Sequence, residues 1–311
     1  MLASTAARRG PIERRAAPVV AAEKELLLDC GDGVRLQCFR SSPQNGSGRP
    51  VVLLHGWEGS AVSLYVLSLA QQLFERGFDV VRLNLRDHGA THHLNRELFH
   101  SCRLPEVLGA MRSLQGMIPG KAPYLVGFSL GGNFVLRVAA EAAQSGLRVG
   151  KVIAVSPVLD PGETLIALEQ GFPGYQLYFL RKWMRSLLKK QAAWPSDYDF
   201  HRFGRFTDLR RMTAELIRHF TEFPSLDDYL NGYSITGGRL ESLEVPASII
   251  TSLDDPIIPA HSLERVARPA NLSLVITRYG GHCGFLEHFV GPSWVERRIV
   301  TDLVEAEAHG P

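Results

Sequence analysis

Short apolar runs alternate with segments of helical spacing along most of the chain. Two segments of alternating polar and apolar residues, 23–30 and 34–40, flank a Gly-Asp-Gly turn and predict a β-hairpin. Continuous apolar runs predict further strands, and the first run is of the kind that is buried on both faces of a parallel sheet. These runs are 51–54, 78–84, 121–126, 152–157, 246–252 and 272–277.

Apolar residues spaced three and four apart predict helices between several of these strands. The predicted helices are 61–76, 105–117, 133–141 and 294–306. A hairpin followed by strands that alternate with helices predicts an α/β fold, in which a mostly parallel open sheet is flanked by helices. Because ligands bind such sheets at the carboxyl ends of the strands, we expect the functional residues in the loops at those ends.

The interval 160–242 breaks this alternation. It contains no clear strand run, and its helix-like pieces, such as 175–190 and 207–220, are rich in aromatic and basic residues. We therefore predict that 160–242 is a helical cap, inserted into an α/β core that is formed by 23–159 and 243–311.

The first 22 residues are rich in Ala and Arg and lack the apolar segment of a signal peptide. We expect residues 1–22 to form a mobile N-terminal tail. A transit peptide, suggested by the arginines, is the alternative interpretation. An N-terminal membrane anchor is not expected.

The composition is that of an ordinary globular protein, with 45% hydrophobic and 21% charged residues. A net charge of +2 gives no reason to expect a nucleic-acid partner. The chain has no run of about 18 apolar residues, so we expect no stable membrane insertion. The four cysteines lack metal-binding spacing, which favours reduced thiols and a cytoplasmic location over disulfides or zinc. They are Cys30, Cys38, Cys102 and Cys283.

The sequence Gly127-Phe128-Ser129-Leu130-Gly131 lies between a predicted strand and a predicted helix. A strand, a sharp G-x-S-x-G turn and a helix form the context of a nucleophile elbow, which points the serine hydroxyl off the end of the sheet. Taken alone, the motif could also be a glycine-rich turn with an incidental serine. Ser129 is therefore a candidate nucleophile that needs support from the rest of the chain.

A serine hydroxyl is a weak nucleophile, and it needs a base to take its proton and an acid to orient that base. In α/β-hydrolases these residues follow the order Ser, Asp or Glu, His. The chain has this order, with Ser129, Asp255 and His282 each just after a predicted strand. We therefore predict these three residues as a catalytic triad.

Two positions of this triad have rivals. We favour Asp255 over Asp254 because Asp255 directly precedes the Pro-Ile-Ile-Pro segment, and we expect Asp254 to be a loop residue. We favour His282 over His288 because glycines flank His282 and let its loop return over the serine. His288 is expected on a short helix as a packed or surface histidine.

The sequence His55-Gly56-Trp57-Glu58-Gly59 ends the first buried strand. In this fold the loop at that place supplies one oxyanion N–H, and the residue after the nucleophile supplies the other. The backbone amides of Trp57 and Leu130 are therefore the predicted oxyanion donors. A plain strand–helix loop is the alternative, and His55 itself is expected to be a structural residue.

Other histidines and a basic segment carry weaker signals. No carboxylate or cysteine recurs at ligand spacing around His88, His92, His93 or His100, so we expect no metal site and no cofactor. The basic, aromatic segment 178–190 could contact anionic lipid. The preferred interpretation is a cap helix with one apolar face packed inward and its lysines in water.

The segments that carry this chemistry resemble the YheT-like branch (AB-hydrolase-4 type) of the α/β-hydrolase superfamily, which also includes mammalian α/β-hydrolase-domain lipases. They are His55-Gly56-Trp57-Glu58-Gly59-Ser60, Asn84-Leu85-Arg86-Asp87-His88-Gly89, Leu98-Phe99-His100-Ser101, Gly127-Phe128-Ser129-Leu130-Gly131-Gly132-Asn133, Asp254-Asp255-Pro256 and Gly280-Gly281-His282-Cys283-Gly284-Phe285. The resemblance implies an α/β-hydrolase fold and a carboxylic ester hydrolase with Ser129, Asp255 and His282 as its triad. Asp87 and His88 depart from the branch, which more often has Arg-Gly-Cys-Ser-Gly there.

We therefore predict a serine carboxylic ester hydrolase that acts through an acyl-enzyme on a small-molecule acyl ester of short to medium chain length. A thioesterase or acyltransferase with the same triad is the alternative, because the sequence does not decide the second nucleophile. A non-catalytic binding protein is disfavoured because all three triad positions hold competent residues. A dehalogenase would need Asp in place of Ser129. The sequence makes no prediction of the oligomeric state.

Overall fold

The computed structural model describes residues 8–46, 48–288 and 291–309. Its strands are β1 (Glu23–Asp29), β2 (Arg35–Ser41), β3 (Pro50–Leu54), β4 (Asp79–Leu83), β5 (Tyr124–Phe128), β6 (Lys151–Val155), β7 (Ala247–Ser252) and β8 (Leu272–Thr277). They form an eight-stranded sheet in the order β1-β2-β4-β3-β5-β6-β7-β8. The β1–β2 and β2–β4 pairs are antiparallel and all other pairs are parallel.

Helices cover both faces of this sheet. They are α1 (Arg9–Ala21), α2 (Leu64–Glu75), α3 (Leu104–Met117), α4 (Leu130–Glu141), α5 (Pro161–Gln170), α6 (Pro173–Ala193), α7 (Leu209–Phe220), α8 (Leu226–Gly232) and α9 (Trp294–His309). Short 3-10 turns lie at His201–Arg205, Gly238–Leu240 and Ala260–Arg265. The α/β architecture is present, as are the predicted strands and the helices predicted between them, with ends that differ by a few residues.

Alternating residues of the central strands divide the apolar core in two, as the pleat of a strand requires. Val51 and Leu53 face a core with α1, α2 and α9. Val52 and Leu54 face the opposite core, which contains α3, α4 and the helices of 160–242. Strands buried on both faces explain why the sequence shows continuous apolar runs rather than alternation.

The N-terminal segment differs from its prediction. Residues 9–21 form α1 rather than a mobile tail, and residues 1–7 lie outside the described residues. Ile12, Ala16 and Val19 are buried at helical spacing and belong to the core that includes α2. Three small or medium apolar residues are a weak signal among many Ala and Arg residues, so this helix depends on its tertiary partner.

Every regular element described between 160 and 242 is helical, and the segment enters after β6 and returns before β7. Its two ends are tied together, because the Ile235 amide donates to the Leu159 carbonyl at 2.9 Å. The side-chain amide of Asn133, in α4, donates to the carbonyls of Val158 (2.8 Å) and Tyr233 (2.7 Å). The helical insertion is thus anchored directly to the helix that follows Ser129.

Helix α6 is fixed to the loop after β4 by a buried lysine. Lys190 is fully buried, and its Nζ donates to Asp87 Oδ1 at 2.8 Å and to the carbonyls of Asn95 (2.5 Å) and Glu97 (3.0 Å). Burial raises the pKa of Asp87 and lowers that of Lys190. The expectation that the cap lysines lie in water is therefore wrong for Lys190, whose partners lie about a hundred residues earlier.

We expect Lys190→Met to lower the free energy of unfolding by about 3–5 kcal/mol, because it leaves the Asp87 carboxylate buried without its charge partner. The double variant Asp87→Asn/Lys190→Met should be less destabilised, because a neutral amide costs less to bury than a carboxylate. Lys189→Met removes an exposed neighbour and should change stability by no more than about 0.5 kcal/mol. Urea unfolding followed by circular dichroism measures all three. A double variant that is no more stable than Lys190→Met would contradict this interpretation.

Candidate active site

Ser129 occupies a one-residue turn between β5 and α4. Its backbone has φ 52° and ψ −117°, a left-handed conformation that costs a non-glycine residue roughly 1–3 kcal/mol. The Ser129 amide donates to the Val155 carbonyl at 2.8 Å, and the Asn133 amide donates to the Ser129 carbonyl at 3.0 Å. These bonds to β6 and α4 hold the strained turn and fix the direction of the hydroxyl.

The sharp turn brings the first turn of α4 close to the carboxyl end of β3. A Cβ built on Gly131 would lie 2.4 Å from the Leu54 carbonyl oxygen and 2.5 Å from that of His55. Any side chain at position 131 would therefore push the helix away from the strand. This contact explains why position 131, two residues after Ser129, is a glycine, as the elbow motif predicts.

The structure brings together the three residues of the predicted triad. Ser129 Oγ lies 3.0 Å from His282 Nε2. His282 Nδ1 lies 2.9 Å from Asp255 Oδ2 and 3.2 Å from Oδ1. These distances allow the serine to donate to a neutral imidazole and the imidazole to donate to the carboxylate, which is the arrangement that acyl transfer by serine requires.

The adjacent residues Asp254 and Asp255 have different hydrogen-bond partners. Asp255 is buried and accepts from the amides of Ile257 (2.9 Å) and Ile258 (3.0 Å) as well as from His282. Asp254 is exposed, and its Oδ1 accepts from the amides of Gly280 (2.9 Å) and Gly281 (2.8 Å). Asp255 thus meets the imidazole, while Asp254 holds the loop that carries it.

The pKa values of the pair reflect these contacts. Burial would raise the pKa of Asp255, but the imidazole and the two backbone amides lower it below its ordinary value. Burial would lower the pKa of His282, but the Cys283 sulfur and the Asp255 carboxylate raise it well above its ordinary value. Asp255 is therefore ionised near neutral pH, and its charge favours an imidazolium at His282.

The predicted oxyanion donors lie beside Ser129. Leu130 is the first residue of α4, so its amide is at a helix N-terminus, where anions are favoured. A Cβ on Gly56 would lie 3.2 Å from the Ser129 Cβ, which shows how closely the loop of Trp57 approaches the serine. The hydrogen bonds found among the described residues include none donated by the amide of Trp57 or of Leu130.

Two buried histidines, His55 and His88, hold the loop of Trp57 in place. The sequence predicted a structural role for His55 but not for His88. His55 Nδ1 lies 2.8 Å from the Gly56 carbonyl, and its Nε2 accepts from the Leu85 amide at 3.2 Å. His88 Nδ1 lies 2.7 Å from the Arg86 carbonyl, and its Nε2 accepts from the Glu58 amide at 3.2 Å. Burial lowers the pKa of His88 to about 4 and that of His55 well below its ordinary value. Both rings are therefore neutral and join the loops after β3 and β4.

Helix α6 also contacts the loop of Trp57. The indole of Trp57 stacks on Phe179 at 5.2 Å between ring centroids and meets the edge of Trp183 at 5.1 Å. Lys182 Nζ donates to the Glu58 carbonyl at 3.0 Å. The helical insertion thus covers the predicted oxyanion loop.

A cavity of about 510 Å³ opens beside Ser129 and His282. This volume lies within the range of small-molecule sites. The insertion supplies much of its wall through apolar and aromatic side chains, among them Leu165, Leu168, Tyr178, Phe179, Trp183 and Leu209.

The remaining histidines lie elsewhere or have other partners. His92 Nε2 bonds Ser186 Oγ of α6 at 2.9 Å, and the His100 ring packs 5.6 Å from Phe223. His93 and His288 are exposed, and residues 287–288 form a bend rather than the expected short helix. Within the described ranges, no group of three His, Cys, Asp or Glu side chains is arranged to hold a metal ion. Nor does any helix described there have both the length and the hydropathy of a bilayer-spanning segment.

Comparison with known proteins shows that the chain is similar to hydrolases. A family model described as alpha/beta hydrolase fold matches residues 49–289. The putative esterase YheT of Escherichia coli (strain K12) is 26% identical over 301 residues, which cover 92% of this chain and 86% of that protein. The phospholipase ABHD3 of Homo sapiens is 25% identical over 278 residues, which cover 85% of this chain and 64% of that protein. The chain thus matches less than two thirds of ABHD3.

Solved structures support the fold alone. The esterase Pf2001 of Pyrococcus furiosus superposes with a TM-score of 0.59 at 18% identity, covering 91% of this chain and 92% of that chain. Together with the family match, this likeness confirms the predicted fold class.

We expect the pKa of His282 to lie above its ordinary value near 6.5 and to fall in Asp255→Asn, because that variant removes a charge that raises it. Asp254→Asn is the matched control. Its side-chain oxygen can still accept from Gly280 and Gly281, and Asp254 does not touch the imidazole. NMR titration of the imidazole resonances in the three proteins measures these values. A pKa that fell in Asp254→Asn and not in Asp255→Asn would show that the two aspartates are assigned the wrong way round.

Proposed function

The chain belongs to the α/β-hydrolase fold family, and from this we propose that it is a serine carboxylic ester hydrolase. The observation that carries the proposal is the chain of hydrogen bonds from Ser129 Oγ through His282 (3.0 Å) to Asp255 (2.9 Å). The match to a putative esterase over most of both chains supports it. The substrates we propose are small acyl esters of short to medium chain length.

The geometry supports a two-step reaction. In the first step Ser129 Oγ attacks the ester carbonyl carbon, His282 Nε2 takes the hydroxyl proton, and the same imidazolium protonates the leaving alcohol. Asp255 holds the imidazole through Nδ1 and stabilises its charged form. In the second step a water molecule gives a proton to His282 and attacks the acyl-enzyme, which releases the carboxylic acid and restores Ser129. The reaction as proposed uses no cofactor.

The tetrahedral intermediate of each step places a negative charge on the former carbonyl oxygen. We propose that the amides of Trp57 and Leu130 stabilise this charge. Loss of one such donor typically lowers kcat by about 10²–10³-fold. The neutral rings of His55 and His88 keep the first donor in position without adding a charge.

We further propose that residues 160–242 act as the cap that selects the acyl group. The apolar and aromatic wall of the cavity comes largely from this segment, and such a wall suits a hydrocarbon chain better than a charged group. A cytoplasmic location is part of the proposal. It is supported by Cys30, Cys38, Cys102 and Cys283, all of which are free thiols.

We expect Ser129→Ala to lower kcat/KM for p-nitrophenyl butyrate by at least about 10³-fold, because the variant lacks the hydroxyl that lies 3.0 Å from His282 Nε2 and that we propose forms the acyl-enzyme. Ser145→Ala, which follows α4 away from the cavity, is the matched control and should hydrolyse the ester at the wild-type rate. Melting curves by circular dichroism should show that both variants are folded. A folded Ser129→Ala protein that retained the wild-type rate would exclude the mechanism.

A further inference from the structure

The outward side of helix α6 combines exposed apolar and basic residues. The 21-residue helix contains no Asp or Glu. Leu177 and Leu188 are 47% and 40% exposed, and Phe172, just before the helix, is 69% exposed. Arg181, Arg185 and Lys189 are also exposed and are the cations discussed below.

These side chains share one face of the helix. At about 3.6 residues per turn, positions 177, 181, 185, 188 and 189 fall on one side, and the leucines lie on the same strip as Arg181 and Arg185. The opposite side is packed inward through Phe179, Leu180 and Leu187. We call the exposed side, formed by Leu177, Arg181, Arg185, Leu188 and Lys189, the outer face of α6.

The other two lysines of the helix already have hydrogen-bond partners within the protein. Lys190 is buried against Asp87, and Lys182 donates to the Glu58 carbonyl. The charge of the outer face therefore comes from residues that the packing of the helix does not need. The exposed side chains of Leu177 and Leu188 are likewise not needed for folding, because it is the burial of apolar surface that stabilises a fold.

We propose that the outer face of α6 docks this protein on the surface of a lipid bilayer that contains anionic phospholipid. Basic residues attract the anionic headgroups, and the exposed Leu side chains enter the boundary between headgroups and acyl chains. The mixture of the two kinds of side chain favours lipid over nucleic acid, which would be bound by charge and by stacking. The leucines span about 16 Å along the helix, so the helix would lie flat on the surface.

Docking in this way would place the cavity next to the bilayer. Tyr178 and Lys182 line the cavity and lie on α6 beside Arg181 and Arg185. The helix thus has one side on the cavity and the neighbouring side toward the proposed surface. Membrane binding through this face is a property separate from the proposed ester hydrolysis.

The test is co-sedimentation of the full chain with vesicles of phosphatidylcholine alone and of phosphatidylcholine with phosphatidylglycerol. We expect at least about tenfold stronger partitioning to the anionic vesicles, weakened by salt. Each basic residue at such a surface is worth roughly fivefold, so Arg181→Gln/Arg185→Gln/Lys189→Gln should lose about 100-fold. Leu177→Gln/Leu188→Gln should bind more weakly but keep the salt dependence.

The matched control is Arg76→Gln/Arg112→Gln/Arg268→Gln, which removes three exposed arginines outside α6. Arg76 and Arg268 precede β4 and β8, so they lie at the amino-terminal ends of the strands, opposite the end that carries Ser129. This variant should partition within about threefold of the wild type, because none of the three charges that it removes belongs to α6. Melting curves verify the folding of every variant, and no turnover is needed.

Three results would overturn the proposal. The wild type could fail to prefer anionic vesicles. The α6 variant and the control could lose binding equally, which would indicate a general charge effect. The α6 variant could instead abolish a concentration-dependent self-association seen in sedimentation without lipid, which would assign the outer face to a second copy of the chain.

Discussion

The close contact between the first turn of α4 and the carboxyl end of β3 is the constraint on which the site depends. A methyl group at Gly131 would lie 2.4 Å from the Leu54 carbonyl oxygen, and one at Gly127 would lie 2.2 Å from the Gly131 carbonyl oxygen, so the first turn of α4 packs tightly against both β3 and β5. The chain passes from β5 to α4 through Ser129 alone, and Ser129 adopts a positive φ as a result. The same contact places the helix N-terminus and the loop of Trp57 on either side of the hydroxyl. A local steric requirement thus sets the position of the nucleophile and of both proposed oxyanion donors.

The parallel sheet then brings distant residues to that hydroxyl. The loops after β7 and β8 supply Asp255 and His282, and Asp254 fixes the second loop through the amides of Gly280 and Gly281. A second layer of contacts connects this site to the insertion. Lys190, Lys182 and the stacked Trp57 join α6 to the loops after β3 and β4. Because the Lys190–Asp87 pair is buried, any movement of α6 away from these loops would have to expose or separate two charges.

The fold class and the residues that meet at the site could be predicted from the sequence because both follow from local signals. Apolar runs identify strands buried on both faces, and the second glycine of the elbow motif marks the position where a side chain would not fit, Gly131. The features that could not be predicted depend on partners far along the chain. Lys190 looks like a solvated helix lysine until Asp87, 103 residues earlier, is seen beside it. The structural role of His88 could not be predicted from the side chains near it in sequence, because its partner is the backbone amide of Glu58. Helix α1 has three buried apolar residues, and the Arg and Ala residues around them leave only a weak apolar pattern in the sequence. The catalytic roles of Ser129, Asp255 and His282 stay predictions that the geometry supports.

Covalent labelling of the wild-type chain with a fluorophosphonate tests the central claim most directly, because this reagent reacts with a serine that a neighbouring base activates. Intact-mass and peptide measurements locate the adduct, and ester hydrolysis is followed in the same sample. Our account predicts one adduct per chain, on Ser129, with hydrolysis lost in proportion to labelling. An adduct on another residue, or ester hydrolysis that continues in fully labelled protein, would contradict it.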